Sequence, residues 1–198
     1  LDADPGEDPH ALSPGRYAGF LLRLFDLWYE DITRGRPVSI RLFDNWVRML
    51  SGEHPEQCGL TGVCTCQLVI ESDGGVYPCD FYVTDAWRLG SVLTDRLSDL
   101  VQSEKGRLFV EQSQPVPDGC RACRWHPLCR NGCRRDRETG GKATGLNRFC
   151  PAYKTFFEAA WPRLDNLARQ WRLMRERGQL QAAQPLPGVL SDKRGGQA

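Results

Sequence analysis

What this 198-residue sequence lacks narrows it first. No window reaches the ~18 consecutive apolar residues of a membrane span. The stretch from Leu1 to Pro14 is acidic and polar, unlike the basic-then-apolar pattern of an export leader. Neither sign of charge dominates, since 26 Lys and Arg stand against 25 Asp and Glu for a formal net charge of +1. There is no internal repeat and no low-complexity tract ahead of Gly178. A hydrophobic content of 40% excludes a disordered or fibrous chain and allows one modest core or two small ones. A soluble, cytoplasmic protein is expected, with no membrane and no nucleic acid among its partners. The chain opens at Leu1 rather than a methionine and runs straight into what reads as a late segment of a domain, so an upstream part is expected as well.

What the sequence has is cysteine: nine of them, an odd number in a longish chain without an export signal. Disulfide frameworks favour short secreted chains, whereas clustered thiols in a reducing compartment are more often metal or cluster ligands. Around them the elements are readable. Ser13 caps a helix with Pro14 in its first turn and Tyr17, Phe20, Leu21, Leu24, Phe25 and Trp28 on one stripe, ending at Gly35. Val38 to Leu42 alternates like a strand, and Phe43, Trp46, Val47 and Leu50 mark a second helix. Strand followed by helix is the unit of an α/β barrel, so residues 1–52 read as the tail of one. Gln67 to Glu71 and Val76 to Tyr82 flank Ser72-Asp73-Gly74-Gly75 as a hairpin, with Asp73 as a turn residue. Short helices are expected between Thr94 and Gln112, then a cysteine-dense loop from Cys120 to Cys150 with little apolar content. Something other than a core must order that loop. A long helical pattern follows Pro151, with Pro162 expected to kink or divide it. The tail beyond Gly178 reads as disordered.

The cysteines form two groups: Cys58, Cys64, Cys66 and Cys79 around the hairpin, and Cys120, Cys123, Cys129, Cys133 and Cys150 in the loop. The run Cys120, Cys123, Cys129, Cys133 has the spacing C-x2-C-x5-C-x3-C, whose first pair places two sulfurs on the inside of one tight turn. Four thiolates suit zinc or an iron-sulfur cluster equally by count. The wide, irregular spacings fit a group larger than a single ion. Ferredoxin-type runs commonly send their fourth cysteine to a different cluster. By that logic Cys133 crosses to the first group, giving Cys58, Cys64, Cys79 and Cys133 as one set and Cys120, Cys123, Cys129 and Cys150 as the other. Cys66 is left over, as a small buried side chain or an exchangeable ligand. His126 is expected to cap or to face solvent. Arg121, Arg124, Arg130, Arg134, Arg135 and Arg137, interleaved with the cysteines, read as cations offsetting the negative charge of thiolate-bound clusters rather than as a nucleic-acid surface.

The segment Glu71-Ser72-Asp73-Gly74-Gly75-Val76-Tyr77-Pro78-Cys79-Asp80-Phe81-Tyr82, together with Cys58, Cys64, the C-x2-C-x5-C-x3-C run and Cys150-Pro151, resembles a SPASM domain, the C-terminal module of radical S-adenosylmethionine enzymes. Within that group, Val76 to Tyr82 is similar to the anaerobic sulfatase maturases. The resemblance covers roughly residues 14–175 and implies an α+β architecture. Residues 1–52 would be the end of a partial (β/α) barrel, residues 53–175 a small hairpin-and-helix, loop-rich domain organised by two auxiliary 4Fe-4S clusters, and residues 176–198 a tail. It implies the same two ligand sets. It also implies a reaction, the oxidation of a sulfatase cysteine or serine to Cα-formylglycine. There a deoxyadenosyl radical removes a hydrogen atom from the substrate Cβ, an acid residue takes the thiol or hydroxyl proton, and an electron leaves through the clusters to a carrier such as flavodoxin or ferredoxin. Asp80 holds the position of that base. A carboxylate next to a buried anionic cluster is expected to have a raised pKa and to act as the better base.

One family motif is missing. Radical cleavage of S-adenosylmethionine needs C-x3-C-x2-C, and no such run exists here: Cys129 and Cys133 have the first spacing, but the next cysteine is Cys150. S-adenosylmethionine and a third 4Fe-4S cluster are therefore expected in an N-terminal part outside this sequence, and this chain alone is expected to be inactive. Two other readings stay open. One is a SPASM module of a different peptide-modifying radical enzyme, and the other is a non-catalytic zinc-binding module.

Overall fold

The computed structural model describes residues 12–137 and 145–178. The expected tail past Gly178 lies outside the described residues. Contacts divide the chain into two units, Leu1–Gln57 with Phe149–Ala198, and Cys58–Arg148. The architecture is mostly helical, with one small antiparallel sheet.

The first unit is built on three helices. Helix α1, Pro14–Thr33, begins where the Ser13 hydroxyl accepts the Arg16 N–H at 3.3 Å and ends before Gly35, whose φ of +72° suits glycine. Its buried face is Ala18, Leu21, Phe25, Trp28 and Ile32. Phe20, expected on that face, is 56% exposed. It lies five residues from Phe25, hence about 140° around the helix, and stacks on Tyr17 instead.

The strand expected over Val38–Leu42 does not form. Arg41 and Leu42 open helix α2, Arg41–Leu50, and Ile40 is its extended N-cap residue. A strand needs a ladder partner, and none pairs with this segment among the described residues. The Val38 carbonyl is taken instead by the Trp28 indole N–H at 2.8 Å.

The long helix α7 of this unit, Cys150–Glu176, runs through Pro162 without being divided. Proline removes one intrahelical bond there, while Ala160 and Leu164 on either side of it are fully buried. Helix α7 packs on α1 and α2 through an aromatic core. Phe156 meets Phe25 edge-on at 5.4 Å and stacks on Phe43 at 5.7 Å, and Trp46 meets Phe157 at 4.8 Å. Each of these side chains is buried, which contributes about 1.5–3 kcal/mol apiece, and each ring pair adds about 0.5–1.5 kcal/mol.

In the second unit a three-stranded sheet carries the expected hairpin plus one strand more. Strand β1, Val69–Ile70, pairs with β2, Gly75–Tyr77, which pairs in turn with β3, Gly90–Ser91. The turn is fixed as its residues dictate: Gly74 has φ +79°, and the Asp73 carboxylate accepts the Gly75 N–H at 2.8 Å. Helices α3, Leu97–Gln102, and α4, Glu104–Glu111, follow, then two single turns, α5, Asp118–Arg121, and α6, His126–Cys129. Gly106 of α4 allows a close approach, since a Cβ there would lie 2.6 Å from the Val101 carbonyl oxygen.

Candidate metal centre

The chain reaches its first cysteine under restraint. The buried Asn45 side chain accepts the N–H groups of Glu56 at 2.6 Å and Gln57 at 3.3 Å. Cys58 then opens a single 3-10 turn, held by the Thr61 hydroxyl within reach of the Cys58 carbonyl at 2.7 Å and the Val63 carbonyl at 2.6 Å. Cys64 is fixed from outside its own segment, donating its N–H to the Ser113 hydroxyl at 2.8 Å. Cys79 follows β2, and its thiol donates to the neighbouring Asp80 carboxylate at 3.1 Å.

Cys133 arrives from another direction. Arg130, Asn131 and Gly132 all have positive φ, at 44°, 66° and 65°, a left-handed run that reverses the chain after α6. The reversal brings the Cys133 backbone against the first turn, where a Cβ on Gly59 would lie 3.5 Å from the Cys133 nitrogen.

Four of the predicted ligands thereby come within range of each other's charge. Burial pushes the Cys64 thiol up, against the pull of the Ser113 hydroxyl, Arg137 and Arg134, with Cys58 adding to the rise. Burial likewise raises Cys133, with Cys64 and Cys58 among the groups that add to it. Cys79 is pushed up to about 12, by burial first, then by Asp80 and Cys133. A desolvated thiolate of this kind forms readily only beside compensating positive charge. The donor set therefore fits a cationic metal group that takes sulfur as thiolate. Among the described residues no three His, Cys, Asp or Glu side chains are gathered closely enough to hold a metal ion.

The other run stays local. Cys120 lies in α5 and is buried, Cys123 donates its N–H to the Cys120 carbonyl at 3.1 Å, and Cys129 ends α6. Cys150, the remaining predicted ligand, is the first residue of α7 in the first unit. No disulfide joins any of the nine cysteines. Cys66 is half-buried and its thiol faces the Gly106 carbonyl at 3.5 Å, its own shift upward coming from burial and then Cys64. His126 begins α6 and is held below its ordinary pKa by burial, then by Arg130 and Arg137. Asp80 is exposed, with its carboxylate also accepting the Phe81 N–H at 3.1 Å.

Of the six interleaved arginines, the structure separates two from the rest. Arg134 and Arg137 are 3% and 2% exposed. Arg134 lies among the rings of Tyr82, Trp87 and Phe109 at about 5 Å from each and donates to the Phe109 carbonyl and the Gln112 side chain. Arg137 donates to the main-chain carbonyls of Gly62, Ser113, Asn131 and Gly132. By contrast, Arg124 and Arg135 lie exposed over Trp125 and Phe81. Nothing in the spacing of the six marks out the two buried ones. Ser113, which joins Cys64 to the loop, was likewise not legible in the sequence, because its role depends on a partner 49 residues away.

The chain is similar to known proteins over most of its length. Residues 58–124 match the model of the SPASM family, described as an iron-sulfur cluster-binding domain. The cysteine-type anaerobic sulfatase-maturating enzyme of Clostridium perfringens (strain 13 / Type A) is 45% identical over 169 residues, covering 85% of this chain and 46% of that protein. The serine-type enzyme of Bacteroides thetaiotaomicron is 29% identical over 164 residues, covering 81% of this chain and 39% of that protein. The solved structure of native anSMEcpe with bound AdoMet and Cp18Cys peptide superposes with a TM-score of 0.83 at 44% identity, covering 86% of this chain and 48% of that one. The chain thus spans about half the length of the curated relatives it matches. No helix among the described residues is long and apolar enough to cross a membrane.

Proposed function

We propose that this chain, which carries a SPASM domain and resembles the C-terminal part of the anaerobic sulfatase-maturating enzymes of the radical S-adenosylmethionine superfamily, holds two auxiliary 4Fe-4S clusters for a maturase that oxidises a sulfatase cysteine to Cα-formylglycine. The observation that carries the reading is the position of Cys133. Although it ends the C-x2-C-x5-C-x3-C run, its backbone packs on the turn that begins at Cys58, and its thiol shares the electrostatic surroundings of Cys58, Cys64 and Cys79. The wide, irregular spacing of the cysteines along the chain favours a cluster over a single zinc ion. Cys58, Cys64, Cys79 and Cys133 would hold one cluster, and Cys120, Cys123, Cys129 and Cys150 the other. Such clusters supply one-electron transfer. Cysteine rather than serine as the oxidised residue is supported by the identities of 45% and 29% to the two types of relative. The AdoMet-cleaving chemistry belongs to an N-terminal part such as the relatives' additional length provides. Asp80 takes the substrate thiol proton, an assignment supported by an exposed carboxylate whose orientation is set by the Phe81 N–H.

Iron and acid-labile sulfide analysis of the anaerobically reconstituted chain tests the reading. About eight of each per chain are expected for two 4Fe-4S clusters. Cys133→Ala and Cys64→Ala should each remove about half of the iron, and the double variant no more than either alone. Two zinc ions without sulfide, or a Cys133→Ala/Cys64→Ala double variant that loses all the iron, would end it.

A further inference from the structure

Arg137 presents an energetic problem that the sequence does not announce. Burying a guanidinium costs several kcal/mol unless an anion or a full set of acceptors compensates it. Every acceptor of Arg137 among the described residues is a neutral main-chain carbonyl. Its Nη1 donates to Ser113 at 2.8 Å, its Nε to Asn131 and Gly132 at 3.1 Å each, and its Nη2 to Gly132 and, at 3.4 Å, to Gly62. These carbonyls satisfy the N–H groups and leave the net charge. Burial pushes the Arg137 guanidinium below its ordinary pKa, and Cys64 and Cys133, when ionised, are the first of the groups that oppose that fall.

The placement of those carbonyls is equally informative. Gly62 precedes Cys64 by two residues, Gly132 immediately precedes Cys133, and Ser113 is the residue whose hydroxyl receives the Cys64 N–H. One planar fork therefore fixes the approaches to two sulfurs of one proposed cluster.

We propose that Arg137 is a buried counter-cation of the sulfur group that contains Cys64 and Cys133, a positioning residue that sets how readily an electron is accepted there as well as the course of the loop. This rests on the cluster assignment made above. A fixed cation favours the more negative, reduced state of a thiolate-bound cluster, so its removal lowers the reduction potential. A unit charge acting over roughly 10 Å at an effective dielectric constant of about 20 changes an equilibrium about tenfold, which is ~59 mV for one electron.

The test compares the anaerobically reconstituted full chain with Arg137→Gln and Arg137→Lys, measuring iron and sulfide content and titrating reduction by electron paramagnetic resonance. Arg137→Gln loaded with iron is expected to be about tenfold harder to reduce, and Arg137→Lys to titrate within about threefold of the unaltered chain. A fully loaded Arg137→Gln with an unchanged titration overturns the proposal. If Arg137→Gln does not load, the lysine variant decides. Loading with an unchanged titration supports a counter-cation, whereas failure to load, or a lowered potential, makes Arg137 a hydrogen-bonding clamp only. Absence of iron and sulfide from the unaltered chain would instead refute the cluster assignment, a separate outcome.

Discussion

Replacing Arg134 by methionine should destabilise the second unit by about 3 kcal/mol. The Phe109 carbonyl is among the last four of α4, which have no helical donor, and Arg134 supplies one at 2.9 Å while its other terminal nitrogen reaches the Gln112 side chain at 2.8 Å. Methionine fills much of the same slot among Tyr82, Trp87 and Phe109 but donates nothing. Leaving the buried carbonyl unsatisfied costs about 1–3 kcal/mol. The half-exposed Gln112 end is recovered by water at smaller cost. Losing the cation over three rings removes about 0.5–2 kcal/mol more. Relief from desolvating the guanidinium offsets part of the sum, which leaves the net near 3 kcal/mol. For a chain of this length that is a fall in Tm of about 6–12 °C. The measurement is urea unfolding of the anaerobically loaded chain by circular dichroism, with iron content checked at each point. Arg134→Lys, which keeps the charge but loses the planar fork, should fall between the two. A methionine variant within about 1 kcal/mol of the unaltered chain would mean that the aromatic slot, and not the guanidinium, holds α4 to the loop.

Two carboxylates give further outcomes. Under the proposed function, Asp80→Asn in a protein that joins this chain to an AdoMet-cleaving part should slow turnover by about 10²–10⁴ and leave the iron content of this chain unchanged; turnover within about threefold of normal would remove Asp80 as the base. Asp44, in the first unit, is raised above its ordinary pKa by burial, against the hydrogen bond from Ser39 and the charge of Arg48, with Glu56 adding to the rise, and its Oδ1 has no partner among the described residues. The folded chain then holds the Asp44 proton more tightly than the unfolded chain does. This contribution to stability is therefore lost as pH rises from about 4 through the folded pKa, and stays lost at neutral pH. Asp44→Asn should raise Tm at pH 7 and remove that part of the pH dependence, and a Tm lower at pH 7 than that of the unaltered chain would show that the carboxylate is needed as an anion.

The helices were legible because burial repeats with the helical period, and a stripe such as Leu21, Phe25, Trp28 is visible without knowing what covers it. The segment at Val38 misled for the complementary reason. Alternation shows which residues could face a core, but a strand exists only where a second strand supplies its ladder, and here an indole took the carbonyl. The sheet repeats the lesson with the opposite sign, since Gly90–Ser91 has no β pattern and becomes β3 because Gly75 and Val76 are in place to pair with it. At the candidate site, cysteine spacing marked out the candidate ligands and suggested their grouping, for thiols at such intervals have few other uses. Burial of Arg134 and Arg137 was not legible, because six arginines at similar intervals differ only in which carbonyls the left-handed turn at Arg130–Gly132 brings within reach. The expectation that something other than an apolar core orders the loop between α5 and Arg137 thus acquires a second agent. Two guanidiniums, satisfied by main-chain carbonyls from three separate segments, fix the backbone on which the sulfurs are mounted. A buried polar network of this kind holds one geometry or none, so under the proposed function the ligand spacing would change little when the charge on a cluster does.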